Sequence, residues 1–140
     1  MRVKSVKVKI NRDVIAQLNK AKERALELTA EAMLSDIKSR AVVPKDIGDL
    51  ERSGIVDKGQ ISTKFIAAIV FDTPYARRWY YNLSFVDKNG KEHQPATFQR
   101  TKNHDAQDHW MDYYLDGDGL QWVQGTFAKF LKQESGGLIT

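Results

Sequence analysis

Apolar residues return every three or four positions through Val14, Leu18, Ala21, Ala25, Leu28 and Ala32, with Ile15, Leu26 and Met33 widening the stripe. That period predicts a long amphipathic helix over residues 13–39. Asn11 or Asp13 can cap it by accepting backbone N–H bonds, and Pro44 ends it by disfavouring helical geometry at Val43. At 1.5 Å per residue it measures about 40 Å, more than a small sheet covers, so one end is expected to project. Ahead of it, Val6, Val8 and Ile10 alternate with Lys7 and Lys9, the period of a short edge strand with a wet basic face. Near the other terminus, Val123, Phe127, Phe130 and Leu131, with Trp122 beside them, mark a closing amphipathic helix to about residue 133. Asp116-Gly117-Asp118-Gly119 breaks the chain before that helix, and Gly136-Gly137 ends it, leaving a mobile tail over 135–140.

Between the helices the period changes to two. Ile61, Thr63, Phe65, Ala67 and Ile69 fall on one face of a predicted strand over residues 61–71, and Ile66, Ala68 and Val70 fill the other. Ile55 and Val56 mark a shorter strand before it. Asn89-Gly90, flanked by charged residues, signals a hairpin with a two-residue turn. Residues 93–104 have no clear period and read as a loop able to reach a neighbour. The elements add up to a single α+β domain over 1–140: a long N-terminal and a C-terminal helix packed on a mainly antiparallel sheet of four or five strands.

Three short patterns stand in order along this framework. The first is Val43-Pro44-Lys45-Asp46-Ile47-Gly48-Asp49-Leu50-Glu51-Arg52-Ser53. Its chemistry is conformational: Pro44 fixes φ, Asp46 can cap a turn, Gly48 admits positive φ, Leu50 anchors the loop on the core and Ser53 begins the exit to a strand. The second is Phe71-Asp72-Thr73-Pro74-Tyr75-Ala76. The third runs from Asn103 to Trp110, with Asn103 opening a turn, Ala106 packing closely and Trp110 anchoring the segment. The order V-P-x-D-x-G-x-L-x-x-S, then P-Y-A, then N-x-x-A-x-x-x-W resembles tailed-phage minor capsid proteins of the head-tail connector and tail-completion group, over roughly residues 10–132. The resemblance implies a structural virion protein without catalytic residues or cofactor. Its copies would form a ring, roughly six or twelve strong, between portal-side neck proteins and the tail, assembled in a bacterial cytoplasm and placed where it can touch packaged DNA. It also implies that Pro74, Tyr75 and Ala76 lead from the sheet into a short helix near the subunit interface.

Composition narrows the alternatives. An apolar share of 41% with six Phe, five Tyr and three Trp argues for a folded core, and zero Cys removes disulfides, thiolate zinc sites and cysteine nucleophiles. The longest apolar run, Phe65 to Phe71, is far short of a membrane span, and the N-terminus lacks the apolar region of a signal peptide, so neither membrane insertion nor that export route is expected. Net charge is +4, but residues 1–40 hold ten Lys or Arg against five acids, while residues 103–118 hold five Asp and no Lys or Arg. Such polarity suits complementary faces meeting between copies, a basic face toward DNA, or an ordinary solvated surface. A nucleic-acid reading would use Arg77 and Arg78 interleaved with Trp79 and Tyr81, together with the basic N-terminal strand, although rings in the core with arginines outside explain the same run. A metal-hydrolase reading would use His104, Asp108 and His109, since His104 and Asp108, or Asp105 and His109, fall four apart on one side of a helix, but no metalloprotease or deaminase signature accompanies them. Asp46, Asp49 and Glu51 lack a partner His and a defined ligand spacing, and read as exposed carboxylates.

Overall fold

A computed structural model describes residue 5, residues 8–45 and residues 48–140. The first element is helix α1, Arg12–Ser39, whose Asn11 Oδ1 accepts bonds from the N–H groups of Asp13 and Val14 at 3.1 and 3.2 Å. This is the cap the sequence calls for, since it satisfies two of the orphan donors of the first turn. Its buried stripe runs from Ala21 through Ala25, Thr29, Ala30, Leu34 and Ile37. Thr29, polar on that stripe, donates its hydroxyl to the Ala25 carbonyl at 2.7 Å. The first turns, by contrast, are exposed, Val14 and Ile15 included.

Helix α5, Gly117–Glu134, packs along α1 in the opposite direction. Gln17, near the start of α1, donates to the Ser135 carbonyl just past the end of α5 at 3.2 Å. Tyr114, just before α5 begins, donates to Asp36 near the end of α1. The helix pair therefore has two distinct ends, and the first turn of α1 extends past its partner. Among the described residues no helix is long and apolar enough to cross a membrane.

The sheet departs most from expectation. Instead of four or five strands there are two separate antiparallel pairs: β1, Gly54–Asp57, with β2, Ala68–Phe71; and β3, Phe85–Val86, with β4, Glu92–His93. In the first pair Gly54 lies opposite Phe71 and Asp57 opposite Ala68. A two-stranded ribbon is marginal alone, and this one is braced by α1. A Cβ on Gly54 would stand 2.9 Å from both Leu34 Cδ1 and Phe71 Cε1, so glycine lets the strand approach the helix.

The predicted strand over 61–71 is half helix. Ile61–Lys64 forms a single turn, α3, closed by Phe65 in left-handed backbone, and only Ala68–Phe71 is extended. Tertiary contacts outweigh the alternation here: Phe65 meets the Phe127 ring edge-on at 6.3 Å and the Lys22 ammonium lies 5.2 Å from its centroid, contacts that an extended chain would not make. At the N-terminus Val8–Ile10 have no regular structure and no strand partner; residues 6 and 7 of the predicted edge strand lie outside the described residues. The Asn89-Gly90 hairpin exists with a longer loop. Gly90 alone there has positive φ, while Asp87 Oδ1 accepts the N–H groups of Asn89 and Lys91 and its backbone N–H bonds the Lys91 carbonyl. The side chain of Asp87 thus replaces the two-residue turn.

Candidate functional site

All three sequence motifs meet in space. Chain after α1 runs as 41–43, fully buried, and the segment 103–107 lies against it. Asp105 N–H donates to the Ala41 carbonyl at 3.2 Å, Gln107 N–H to the Val42 carbonyl at 2.9 Å, and Asn103 Nδ2 to the Val43 carbonyl at 2.8 Å. These bonds substitute for a strand pairing that the irregular backbone cannot make. Asn103 Nδ2 also reaches Glu51 Oε1 at 3.2 Å, so one buried amide joins the first motif to the third.

Glu51 sits on the short helix α2, Asp49–Arg52, which starts from Gly48 at φ +90°. Its other oxygen accepts from Lys45 Nζ at 2.8 Å. Burial pushes the Glu51 carboxyl up, but the bonds from Lys45 and Asn103 outweigh it and hold the group below the usual carboxylate range. A general acid at neutral pH needs the opposite shift; Glu51 is tuned to stay ionised as a strut. Asp49 pairs with Arg52 at the surface. Leu50 is buried in the core as expected, and Ser53 donates its hydroxyl to the Leu50 carbonyl at 2.7 Å, closing α2 instead of only beginning the exit strand. Pro44 is half-buried, and Asp46 lies outside the described residues.

Trp110 is the centre of the core, 2% exposed, with Phe71 edge-on at 5.5 Å and Tyr80 edge-on at 4.8 Å. Ala76 is buried in the same cluster, and Ala106 is buried as well. The expected short helix after P-Y-A is α4, Ala76–Tyr81. It sends Trp79 and Tyr80 inward and leaves Arg77 and Tyr81 exposed, while Pro74 and Tyr75, the latter 66% exposed, face solvent. Burial raises the Tyr80 hydroxyl, and its 2.6 Å bond to Asp112 raises it further. Arg78 lies over the ring of the exposed Phe85 at 4.5 Å, so this cation already stacks on a ring of its own chain.

Pro44, Leu50, Pro74, Tyr75, Trp79 and Phe98 line an apolar cleft of about 490 Å³ between the first two motifs and the 96–99 loop. Two residues that the sequence reading passed over shape its far wall. Asn82, in left-handed backbone at the end of α4, donates to the Ala96 carbonyl and accepts the Ala96 N–H, both at 2.8 Å. Gln99 Nε2 donates to the Lys45 carbonyl at 2.9 Å. Asn closing a helix in left-handed backbone is a known signal, available in Tyr81-Asn82-Leu83; nothing local marks Gln99.

Residues 103–111 run as turns and not as a helix, so the four-residue spacing of His104, Asp108 and His109 places no ligands side by side. His104 instead faces Asp105 at 3.1 Å and His109 faces Asp108 at 3.2 Å. Among the described residues no three His, Asp or Glu side chains gather in a metal-holding group. No family model, curated protein or solved structure matches the chain.

Proposed function

We propose that this protein is a structural ring component of a tailed-phage virion, a head-tail connector or tail-completion subunit set between portal-side neck proteins and the tail. The observation that carries this reading is the amount of surface the chain leaves uncovered. Its accessible area is 10272 Å², roughly 2,900 Å² above the value of about 7,400 Å² typical of a compact monomer of 16.0 kDa. Full exposure of the eight residues outside the description would account for only about 1,300 Å² of that. The remainder, roughly 1,600 Å², is surface of the size that neighbouring copies could cover, since one standard interface takes about 800 Å² from each partner. A ring subunit needs two such faces, because a heterologous contact presents a different patch on each side.

The motif residues fit this role as a frame. Asn103, Trp110, Ala106, Ala76 and Leu50 build the interior, and the apolar cleft with exposed Pro74 and Tyr75 is what they hold out to a partner. Quantitative mass spectrometry of purified particles against the major capsid protein tests the reading. A copy number near six or twelve supports it; absence from particles overturns it and turns attention to the basic surface and duplex DNA. In the same particles Tyr75→Ala, which removes an exposed ring and leaves the core intact, is expected to give unattached heads and tails, and normal infectivity would count against the role given to that cleft.

A further inference from the structure

The two ends of the α1–α5 helix pair are chemically complementary. At one end α1 extends past α5, and the segment leading into it carries Val8 and Ile10 at 82% and 65% exposure, alternating with Lys9 and Arg12 and followed by exposed Val14 and Ile15. Lys9 and Arg12 have no ion-pair partner among the described residues. At the other end, about 40 Å away along α1, the 3-10 turn Asp112–Tyr114 and the start of α5 expose Leu115 at 71%, with Tyr113 and Trp122 near two-fifths. Around them stand exposed Asp116 and Asp118, which also have no cationic partner among the described residues. Arg40, close to this end of the helix pair, is turned onto the Tyr113 ring at 3.7 Å.

We infer that subunits join head to tail, the basic apolar N-terminal segment of one copy seating on the acidic apolar patch at the start of α5 in the next. This rests on the ring reading and names the surfaces that would build it. Each partner offers what the other lacks: branched apolar side chains against Leu115 and Trp122, and Lys9 and Arg12 against Asp116 and Asp118. In a head-to-tail arrangement the contact is heterologous and propagates until rotation closes it into a ring, whereas an antiparallel twofold dimer would pair both patches at once and stop at two copies. Self-pairing of either patch would bring like charges together.

The chain has no Cys, so single introduced thiols report the contact directly. Purified Lys9→Cys and Leu115→Cys proteins, mixed at high concentration and mildly oxidised, are expected to give the mixed disulfide dimer in large excess over either like-with-like dimer. The Lys9→Cys/Leu115→Cys double variant is expected to give a ladder ending at a closed species. Yield should fall about tenfold between low salt and 1 M salt, where the screening length shrinks to about 3 Å. Asp116→Lys/Asp118→Lys in the Leu115→Cys background should abolish the mixed dimer, and Lys9→Glu/Arg12→Glu carried with a thiol at position 10 should restore it. Like-with-like dimers only, no disulfide, or a double variant that stops at a dimer overturn the inference. A ring-like copy number in particles together with that negative result would reject these surfaces and leave the proposed function standing, whereas a head-to-tail ladder from a protein absent from particles would do the reverse.

Discussion

Asn103 concentrates more structural consequence than any other polar side chain of the motifs. Its amide is buried and serves the Val43 carbonyl and Glu51 together, so Asn103→Leu strands a buried carbonyl and a carboxylate. The expected loss is about 1–3 kcal/mol, read as a drop of several degrees in Tm by calorimetry. Trp110→Ala removes the ring between Phe71 and Tyr80 and should cost about 3–5 kcal/mol. Any assembly defect of that variant therefore reports unfolding, which is why Tyr75→Ala is the cleaner probe of the surface. Glu51 supplies a pH signature. Its folded-state pKa is depressed below the ordinary 4.5 by Lys45 and Asn103 against the opposing effect of burial. The stability it contributes is thus complete above that ordinary value and is lost as pH falls through the depressed one. Tm should hold level above about pH 5 and decline below it. In Glu51→Gln the acid decline should be shallower and the neutral-pH Tm lower; an unchanged acid limb would rule out Glu51 as its source.

At the scale of elements, the junction between the 3-10 turn and α5 rests on one residue. A Cβ on Gly119 would lie 2.0 Å from the Tyr113 carbonyl oxygen, a backbone atom that cannot yield without moving the whole turn. Gly119→Ala is expected to cost at least about 3 kcal/mol and to loosen Tyr113, Tyr114 and Leu115, visible as faster amide exchange across residues 112–120. Gly125→Ala, with open space around its Cβ direction, is the control and should stabilise α5 by up to about 1 kcal/mol. The two long helices were legible because their apolar period extends over many turns and Asn11 caps the first of them. The strands were not, because short apolar runs fit helix and strand alike. Residues 61–65 show this: Ile61 is buried on a helical turn whose closing residue, Phe65, is held by Lys22 and Phe127 from distant parts of the chain. Beyond His93, which pairs in β4, the 93–104 segment is irregular as its lack of period implies, but its course is set by Asn82, which holds Ala96, and by the bond from its own Gln99 to the Lys45 carbonyl.

For the whole molecule, the uncovered area predicts an extended free chain. A compact 140-residue domain has a radius of gyration of about 14 Å, and X-ray scattering at low concentration should give a clearly larger value. With rising concentration at low salt the scattering should report head-to-tail growth. The sequence by itself determined the helix pair, the motif residues that build the interior, and the separation of positive from negative charge, since these depend on local period, turn chemistry and residue type. It did not determine how many strands pair, that 103–107 lies along 41–43, or that the basic and acidic stretches occupy opposite ends of the helices. Those depend on contacts between residues tens of positions apart, whose energies local propensity does not contain. Only the tertiary structure brings Asn103 to Val43 and sets the basic segment at the far end of the helix pair from Asp116.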